Sequence, residues 1–275
     1  MSKRLLRIYL FVGVLVIGLG LANNSAAQDI DLEADYQHEP AVAGKTAVVA
    51  GLGLGIVPEY EGSEDYRAVP LPIVSVKFDN EMSIQWIVNT VKANLIPSRT
   101  WMLGPIIQFL GERDNVDNNK VDKLDKVDAA FMVGGFGGIR IDQLSFGMEA
   151  MTDVADGNEG DLVRLTGGYR IPISKEWMAS FNVYTTWADE DYMEAYFGVD
   201  RKNSQKSGLK RYSADDGFKD VGVSFPVIYS PWKHWSILGV LAYKRLIGDA
   251  ADSPIVEDEG SENQFYLGAT VNYRF

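Results

Sequence analysis

The last twelve residues, Gln264 to Phe275, alternate without a break. Phe265, Leu267, Ala269, Val271, Tyr273 and Phe275 share one face, and Gln264, Tyr266, Gly268, Thr270, Asn272 and Arg274 share the other. Successive side chains of an extended strand point to opposite sides, so this segment reads as a strand with one apolar and one mostly polar face, stopping on an aromatic carboxy-terminus. That pattern fits a closed bacterial outer-membrane β-barrel, whose strands alternate between lipid and lumen. Val271, Tyr273 and Phe275 are the expected assembly signal for the barrel assembly machinery.

The other end of the chain agrees. Lys3, Arg4 and Arg7 precede an apolar run from Ile8 to Ala22, and Ser25-Ala26-Ala27 follows. This three-part pattern reads as a secretory signal peptide, residues 1–27. A spanning helix prefers roughly 20 apolar residues, and this run is shorter. After Ala27 no second long apolar run occurs, so a membrane position requires a closed barrel rather than helices. The fold expected is all-β: an antiparallel up-and-down transmembrane β-barrel spanning 44–275.

The formal charge is −12, and removal of Lys3, Arg4 and Arg7 with the signal peptide takes it to −15. Such a chain repels a nucleic acid, so no nucleic-acid partner is expected. Cysteine is absent, which excludes disulfides, thiolate catalysis and cysteine-ligated metal sites. Residues 28–43 carry Asp29, Asp31, Glu33, Asp35 and Glu39 with no sustained period, and read as a flexible acidic periplasmic leader.

From Lys45 onward, strand-like runs alternate with clusters of Asp, Asn, Gly, Ser and Pro, and no segment carries a persuasive helical period. In 161–173, Val163, Leu165, Tyr169 and Ile171 would face lipid while Arg164, Thr166 and Arg170 point inward. Glu149 lies opposite Leu144, Phe146, Met148 and Ala150 in the same way. Arg164, Arg170 and Glu149 are therefore candidate lumen-lining residues.

Asp142-Gln143, Ser174-Lys175 and Ser230-Pro231-Trp232-Lys233 read as short periplasmic turns. Segments 112–127, 189–216 and 248–262 read as outer loops. Twelve strands result if residues 82–96 form a short hairpin around Ile87-Val88-Asn89; ten is the other even count.

Several conspicuous features have plain structural readings. Gly51-Leu52-Gly53-Leu54-Gly55 and Gly134-Gly135-Phe136-Gly137-Gly138 open no helix and lack the Lys-Ser/Thr of a phosphate-binding loop, so they read as strand glycines relieving crowding. His38 and His234 both fall at the periplasmic end, the wrong end for an outer-rim hydrolase, and no catalytic residue is assigned. Trp86, Trp101, Trp177, Trp187, Trp232 and Trp235 mark the membrane interfaces.

Glu59, Glu61, Glu64 and Asp65, then Asp153, Asp156, Glu159 and Asp161, then Asp249, Asp252, Glu257, Asp258, Glu259 and Glu262 gather at the outer rim. They lack the spacing of a calcium loop and read as a solvated rim rather than a cation site. No cofactor or metal is expected. Arg201, Lys202, Lys206, Lys210 and Arg211 form an ordinary mixed-charge loop or a contact for lipopolysaccharide phosphates.

Val57-Pro58-Glu59-Tyr60-Glu61-Gly62-Ser63-Glu64-Asp65-Tyr66-Arg67 with Pro70-Leu71-Pro72 resembles the opening signature of the MipA/OmpV family of outer-membrane proteins. Tyr192 to Val199 and Tyr243 to Val256 are similar to later family segments. The likeness runs from about Val48 to Phe275. It implies an outer-membrane barrel of a Gram-negative bacterium, in contact with lipid and lipopolysaccharide. For the family's named member it implies a non-enzymatic scaffold joining a lytic transglycosylase to a bifunctional murein synthase. A narrow channel or receptor for small polar solutes is the alternative.

Overall fold

The computed structural model describes residues 46–155, 157 and 160–275. The expected signal peptide and acidic leader, 1–27 and 28–43, lie outside the described residues.

The polypeptide forms one antiparallel sheet that closes on itself. Its strands are β1 (Ala47–Pro58), β2 (Tyr66–Pro70), β3 (Ile73–Lys77), β4 (Ser83–Ile87), β5 (Thr90–Asn94), β6 (Trp101–Leu110) and β7 (Ala130–Ile141). They continue with β8 (Leu144–Asp153), β9 (Asp161–Pro172), β10 (Trp177–Ala188), β11 (Gly217–Tyr229), β12 (Trp235–Leu246) and β13 (Asn263–Arg274). Apart from β2 and β3, which both pair with β1, each strand pairs with its sequence neighbour, and β13 closes on β1 from Val49↔Arg274 to Ile56↔Leu267. Closure leaves no unpaired sheet edge to face lipid.

β2 and β3 occupy one position in the wall, because both pair with the same edge of β1. Pro70 and Pro72 interrupt them, each lacking a backbone donor. Leu71 between them still exchanges two bonds with Gly53, at 3.0 and 3.1 Å. The barrel therefore has twelve staves, not ten. The twelfth comes from the β4–β5 hairpin, whose two-residue turn Val88-Asn89 puts Val88 at φ 54°. An even count returns both chain ends of the barrel to one side.

The outer wall follows the alternation in the sequence. Leu52, Leu54, Leu103, Phe146, Met148, Leu165, Val183, Phe225, Leu241, Phe265 and Leu267 are all exposed on it. At the C-terminal seam, Phe275 meets the Tyr273 ring edge-on at 4.9 Å, and Tyr273 meets Trp235 likewise. Trp101, Trp177, Trp232 and Trp235 lie exposed at the end that holds both termini, as an interfacial aromatic girdle. Trp86 does not join them. It is 1% exposed, with its indole nitrogen donating to Val88 O at 2.8 Å within the short hairpin. Its sequence neighbours resemble a strand end only because the hairpin turns back so soon.

Connections at the terminus-bearing end are short: 78–82, 95–100, Asp142-Gln143, 173–176 and 230–234. At the opposite end, 111–129, 189–216 and 247–262 are long. By the asymmetry of outer-membrane barrels, the short turns face the periplasm and the long loops face outward.

These loops are not irregular throughout, contrary to the expectation of no helical segments. They hold α1 (Glu190–Phe197), α2 (Arg201–Ser207), α3 (Asp249–Asp252) and α4 (Pro254–Glu257). Asp189 caps α1 by accepting from Tyr192 N, Asp200 caps α2 through Asn203 N, and Gly208 closes α2 at φ 81°. Helices this short show no sustained period, so only their caps are visible in the sequence.

Candidate functional site: the lumen and its outer lid

The interior is divided by chemistry. On one side, Val49, Leu71, Ile73 and Ile87 pack against Ile228, Leu238, Val240, Ala242 and Tyr266. Deeper in the barrel, the inward faces of β5, β8, β9 and β10 instead carry polar and charged groups. Lys92 Nζ lies 2.5 Å from Glu149 Oε1, Glu149 stands directly across from Arg164 in the β8–β9 ladder, and the Arg164 guanidinium sits 5.0 Å over the Tyr184 ring. Arg164 Nε also donates to Thr186 Oγ1 at 3.3 Å. Gly222 makes room for Tyr184, since a Cβ there would stand 2.2 Å from the tyrosine Cζ. Arg170 points inward two residues beyond Gly168, opposite Ser180.

The outer end is closed by a lid built from the loops. α1 turns Tyr192, Met193, Tyr196 and Phe197 into the barrel mouth, against Ile106, Leu110, Met132, Leu162, Ala188 and Leu246 from the strands. Burying four such side chains contributes on the order of 6–12 kcal/mol before ordering costs. Arg113 donates to Tyr196 O at 2.7 Å, and Ser253 Oγ donates to Phe197 O at 2.6 Å, satisfying the carbonyls of the last helical turn. Loop 189–216 thus folds onto the mouth.

Under the lid lies a buried ionic cluster. Glu61 Oε1 receives Lys219 Nζ at 2.5 Å and Lys244 Nζ at 2.6 Å, while Glu61 Oε2 receives Tyr192 Oη at 3.0 Å. Lys219 also meets Asp220 Oδ2 at 2.9 Å. All four charged groups are at most 2% exposed. Two cations face two anions, which is what makes burial of so many charges tolerable.

A break in register brings the two adjacent residues together. Thr186 pairs with Asp220 but Trp187 pairs with Phe218, so Lys219 is the extra residue of a β-bulge. Both Lys219 and Asp220 consequently face the interior.

Further ion pairs tie the lid together at its surface. Asp125 receives Lys206 at 2.5 Å and Lys202 at 3.0 Å, and these two cations hold its carboxyl below its ordinary value of 3.8. Lys120 meets Glu259 at 2.5 Å, and Glu194 accepts from Ser213 Oγ and from Ala214 N. Burial pushes the Tyr60 phenol up to about 12 and lowers the Arg113 guanidinium from its usual range.

These contacts revise two expectations. Glu61 is not part of a solvated rim; it is the centre of the buried cluster. Glu59 and Glu259 likewise serve the loops, accepting from Asp117 N and from Asn118 and Lys120. Asp156 and Glu159 lie outside the described residues. Among the described residues, no three acidic or histidine side chains gather in a metal-holding arrangement. Of the basic stretch, Lys202 and Lys206 turn to Asp125. His234 sits in the periplasmic 230–234 turn, its Nδ1 2.9 Å from Arg274 O and its ring stacked on Tyr273 at 5.7 Å. His38 lies outside the described residues.

The family model for MltA-interacting protein MipA matches residues 50–275. The chain belongs to the MipA family. The outer membrane protein YiaT of Escherichia coli O157:H7 is 26% identical over 254 residues, which is 86% of this chain and 95% of that protein. The MltA-interacting protein of Escherichia coli K12 is 30% identical over 89 residues, covering 32% of this chain and 34% of that protein. OmpV of Vibrio cholerae is 37% identical over 90 residues, 33% of each. Among solved structures, an outer membrane channel of Pseudomonas putida F1 aligns over 86% of this chain and 99% of its own, at 10% identity and TM-score 0.45. This MipA-family protein is an outer-membrane β-barrel.

Proposed function

We propose that the protein is a non-enzymatic scaffold of the outer membrane that holds a lytic transglycosylase and a murein synthase at its periplasmic face. The observation that carries this reading is the pairing of membership in the MltA-interacting family with a barrel whose outer mouth is filled by α1 and locked by the Glu61 cluster. A barrel closed outward has its accessible chemistry on the periplasmic side, where the short turns stand. The outer wall would meet lipid and lipopolysaccharide, and the barrel assembly machinery would read the Val271, Tyr273 and Phe275 ending.

The test is brief crosslinking of native envelopes followed by affinity purification in mild detergent, with an unrelated barrel as control. Specific recovery of both murein enzymes is the expected result. Recovery of neither, with crosslinking verified and the barrel intact, would overturn the scaffold.

One observation favours a second reading, a narrow channel for small polar solutes. The inward faces of β5, β8 and β9 carry the charged groups Lys92, Glu149, Arg164 and Arg170. Discrete openings in planar-bilayer recordings of the intact protein would support it; a silent barrel that conducts only after the lid is removed would count for the scaffold.

A further inference from the structure

A recess at the periplasmic rim is used by neither reading. It encloses about 50 Å³ where the 230–234 turn meets the seam of β12, β13 and β1, room for several water-sized atoms. Trp232, Lys233, His234, Trp235, Ser236 and Arg274 line it, with Val49 behind. The lining straddles the rim. Ser236 and Arg274 continue the inward rows of β12 and β13, whereas Trp232 and Trp235 are 60% and 48% exposed in the interfacial girdle. His234 is fixed between the two sides, its Nδ1 donating to Arg274 O and its ring stacked on Tyr273. The exposed Lys233 ammonium has no carboxylate partner among the described residues, and the Ser236 hydroxyl has no hydrogen-bond partner among them. Directly across the ladder from Ser236, Asn272 is 1% exposed and its Nδ2 is buried with no partner among the described residues. An unpaired buried donor is a cost that a bound acceptor removes. The anions nearest in sequence are Glu176 and the α-carboxylate of Phe275, and Lys175, Lys233 and Arg274 outnumber them in a chain of net charge −12.

We infer that this recess binds the phosphate of a phospholipid headgroup from the periplasmic leaflet. Phosphate oxygens only accept, and the recess offers donors: the Lys233 ammonium, the Ser236 hydroxyl and the Asn272 amide beside it. Basic side chains at a membrane surface attract anionic lipid, and tryptophans sit at headgroup level. The straddling geometry separates a lipid from a free phosphate. A free phosphate meets only the polar rim, whereas a lipid also lays its acyl chains along the outer wall below Trp235, where Ile237, Leu241, Leu267 and Val271 are exposed. Both halves of an amphiphile are therefore matched within one stretch of β12 and β13.

The experiment titrates the full chain, in alkyl maltoside micelles, with phosphatidylglycerol carrying brominated acyl chains, and reads quenching of tryptophan fluorescence. Brominated diacylglycerol, which has the same chains and no phosphate, is the comparator. Phosphatidylglycerol should quench saturably and at least tenfold more tightly than diacylglycerol, and Trp232→Phe/Trp235→Phe should lose that saturable component. Lys233→Gln/Ser236→Ala should weaken phosphatidylglycerol at least tenfold and leave diacylglycerol unchanged, while Lys233→Arg, whose guanidinium also grips phosphate, should keep the affinity. Lys233→Gln alone, on an exposed turn, is the milder variant should the double one fail to fold. Glycerol phosphate should displace the lipid only at a concentration at least a hundredfold higher; displacement at equal concentration would assign the recess to free phosphate and overturn the lipid. Equal quenching by the two brominated lipids, or undiminished phosphatidylglycerol affinity in heat-modifiable, folded Lys233→Gln, would each overturn the inference.

Discussion

Replacing Glu61 with Leu is the sharpest test of how the outer lid is held. The substitution removes the carboxylate shared by Lys219 and Lys244 and the acceptor of Tyr192 Oη, leaving Asp220 beside Lys219 as the remaining anion of the cluster. Breaking one partner of a buried ionic group costs about 3–5 kcal/mol, because a charge is stranded away from water. Tyr192 belongs to α1, so the cost falls on the docking of the lid rather than on the strand ladders. At about 1.4 kcal/mol per factor of ten, lid opening should become at least a hundredfold more frequent. Hydrogen exchange in micelles reads this directly: amides of 190–197 should lose protection while those of β7, β8 and β9 keep theirs. Glu61→Leu/Lys219→Met/Asp220→Leu/Lys244→Met, which replaces all four charged groups, should recover much of the lost protection, since apolar replacement of a whole buried ionic group is often neutral. Unaltered exchange of α1 in folded Glu61→Leu would refute the reasoning.

Other perturbations probe the same fold from different sides. Gly222→Ala would press a Cβ toward Tyr184 and should lower stability by about 1–3 kcal/mol, seen as an earlier urea midpoint in micelles; an unchanged midpoint would show that Tyr184 swings away freely. Because the Asp125 carboxyl is depressed by Lys202 and Lys206, its contribution is present above pH 3.8 and lost as pH falls through the depressed value. Exchange protection of 111–129 should therefore hold at pH 5 and fall near pH 3 in the native chain, with a smaller change in Asp125→Asn. The Tyr60 phenol, raised to about 12, should still be protonated at pH 11, and its stabilisation should be lost as pH rises from 10 through 12; Tyr60→Phe would remove that component from the ultraviolet titration. Deleting Phe275 should reduce the fraction of heat-modifiable, folded barrel recovered from envelopes, and equal recovery would remove it from the assembly signal.

The barrel wall was legible because lipid imposes a rule on every strand. One face of β13 must be apolar along its whole length, and so must those of β8 and β9, which makes a period of two visible without any partner information. Turn residues then located Asp142-Gln143 and 230–233, within the observed 230–234 connection, and parity placed the hairpin at Val88. What the pattern could not show was that β2 and β3 are one stave. Two short runs around Pro70 and Pro72 are a single strand only because β1 offers both the same edge. Trp86 misled for a related reason: an aromatic beside a turn marks the interface only when the turn lies at the interface.

The lid was invisible in the sequence because its stabilising contacts are long-range. Glu61 meets Lys219 and Lys244 from 158 and 183 residues away, and nothing local distinguishes it from Glu59 or Glu64. The alternation that reveals the wall also conceals Lys219. Counting by twos from Val221 and Val223, which are exposed to lipid, sends Lys219 outward as well. A lysine in that position would be costly in the outer wall, by about 2–4 kcal/mol near the membrane midplane and less toward the rim. The bulge at Trp187 resolves the conflict by turning Lys219 inward beside Asp220. A charged residue on the face that alternation assigns to lipid is therefore a sequence signal for a bulge, and its ionic partner must come from whatever covers the lumen.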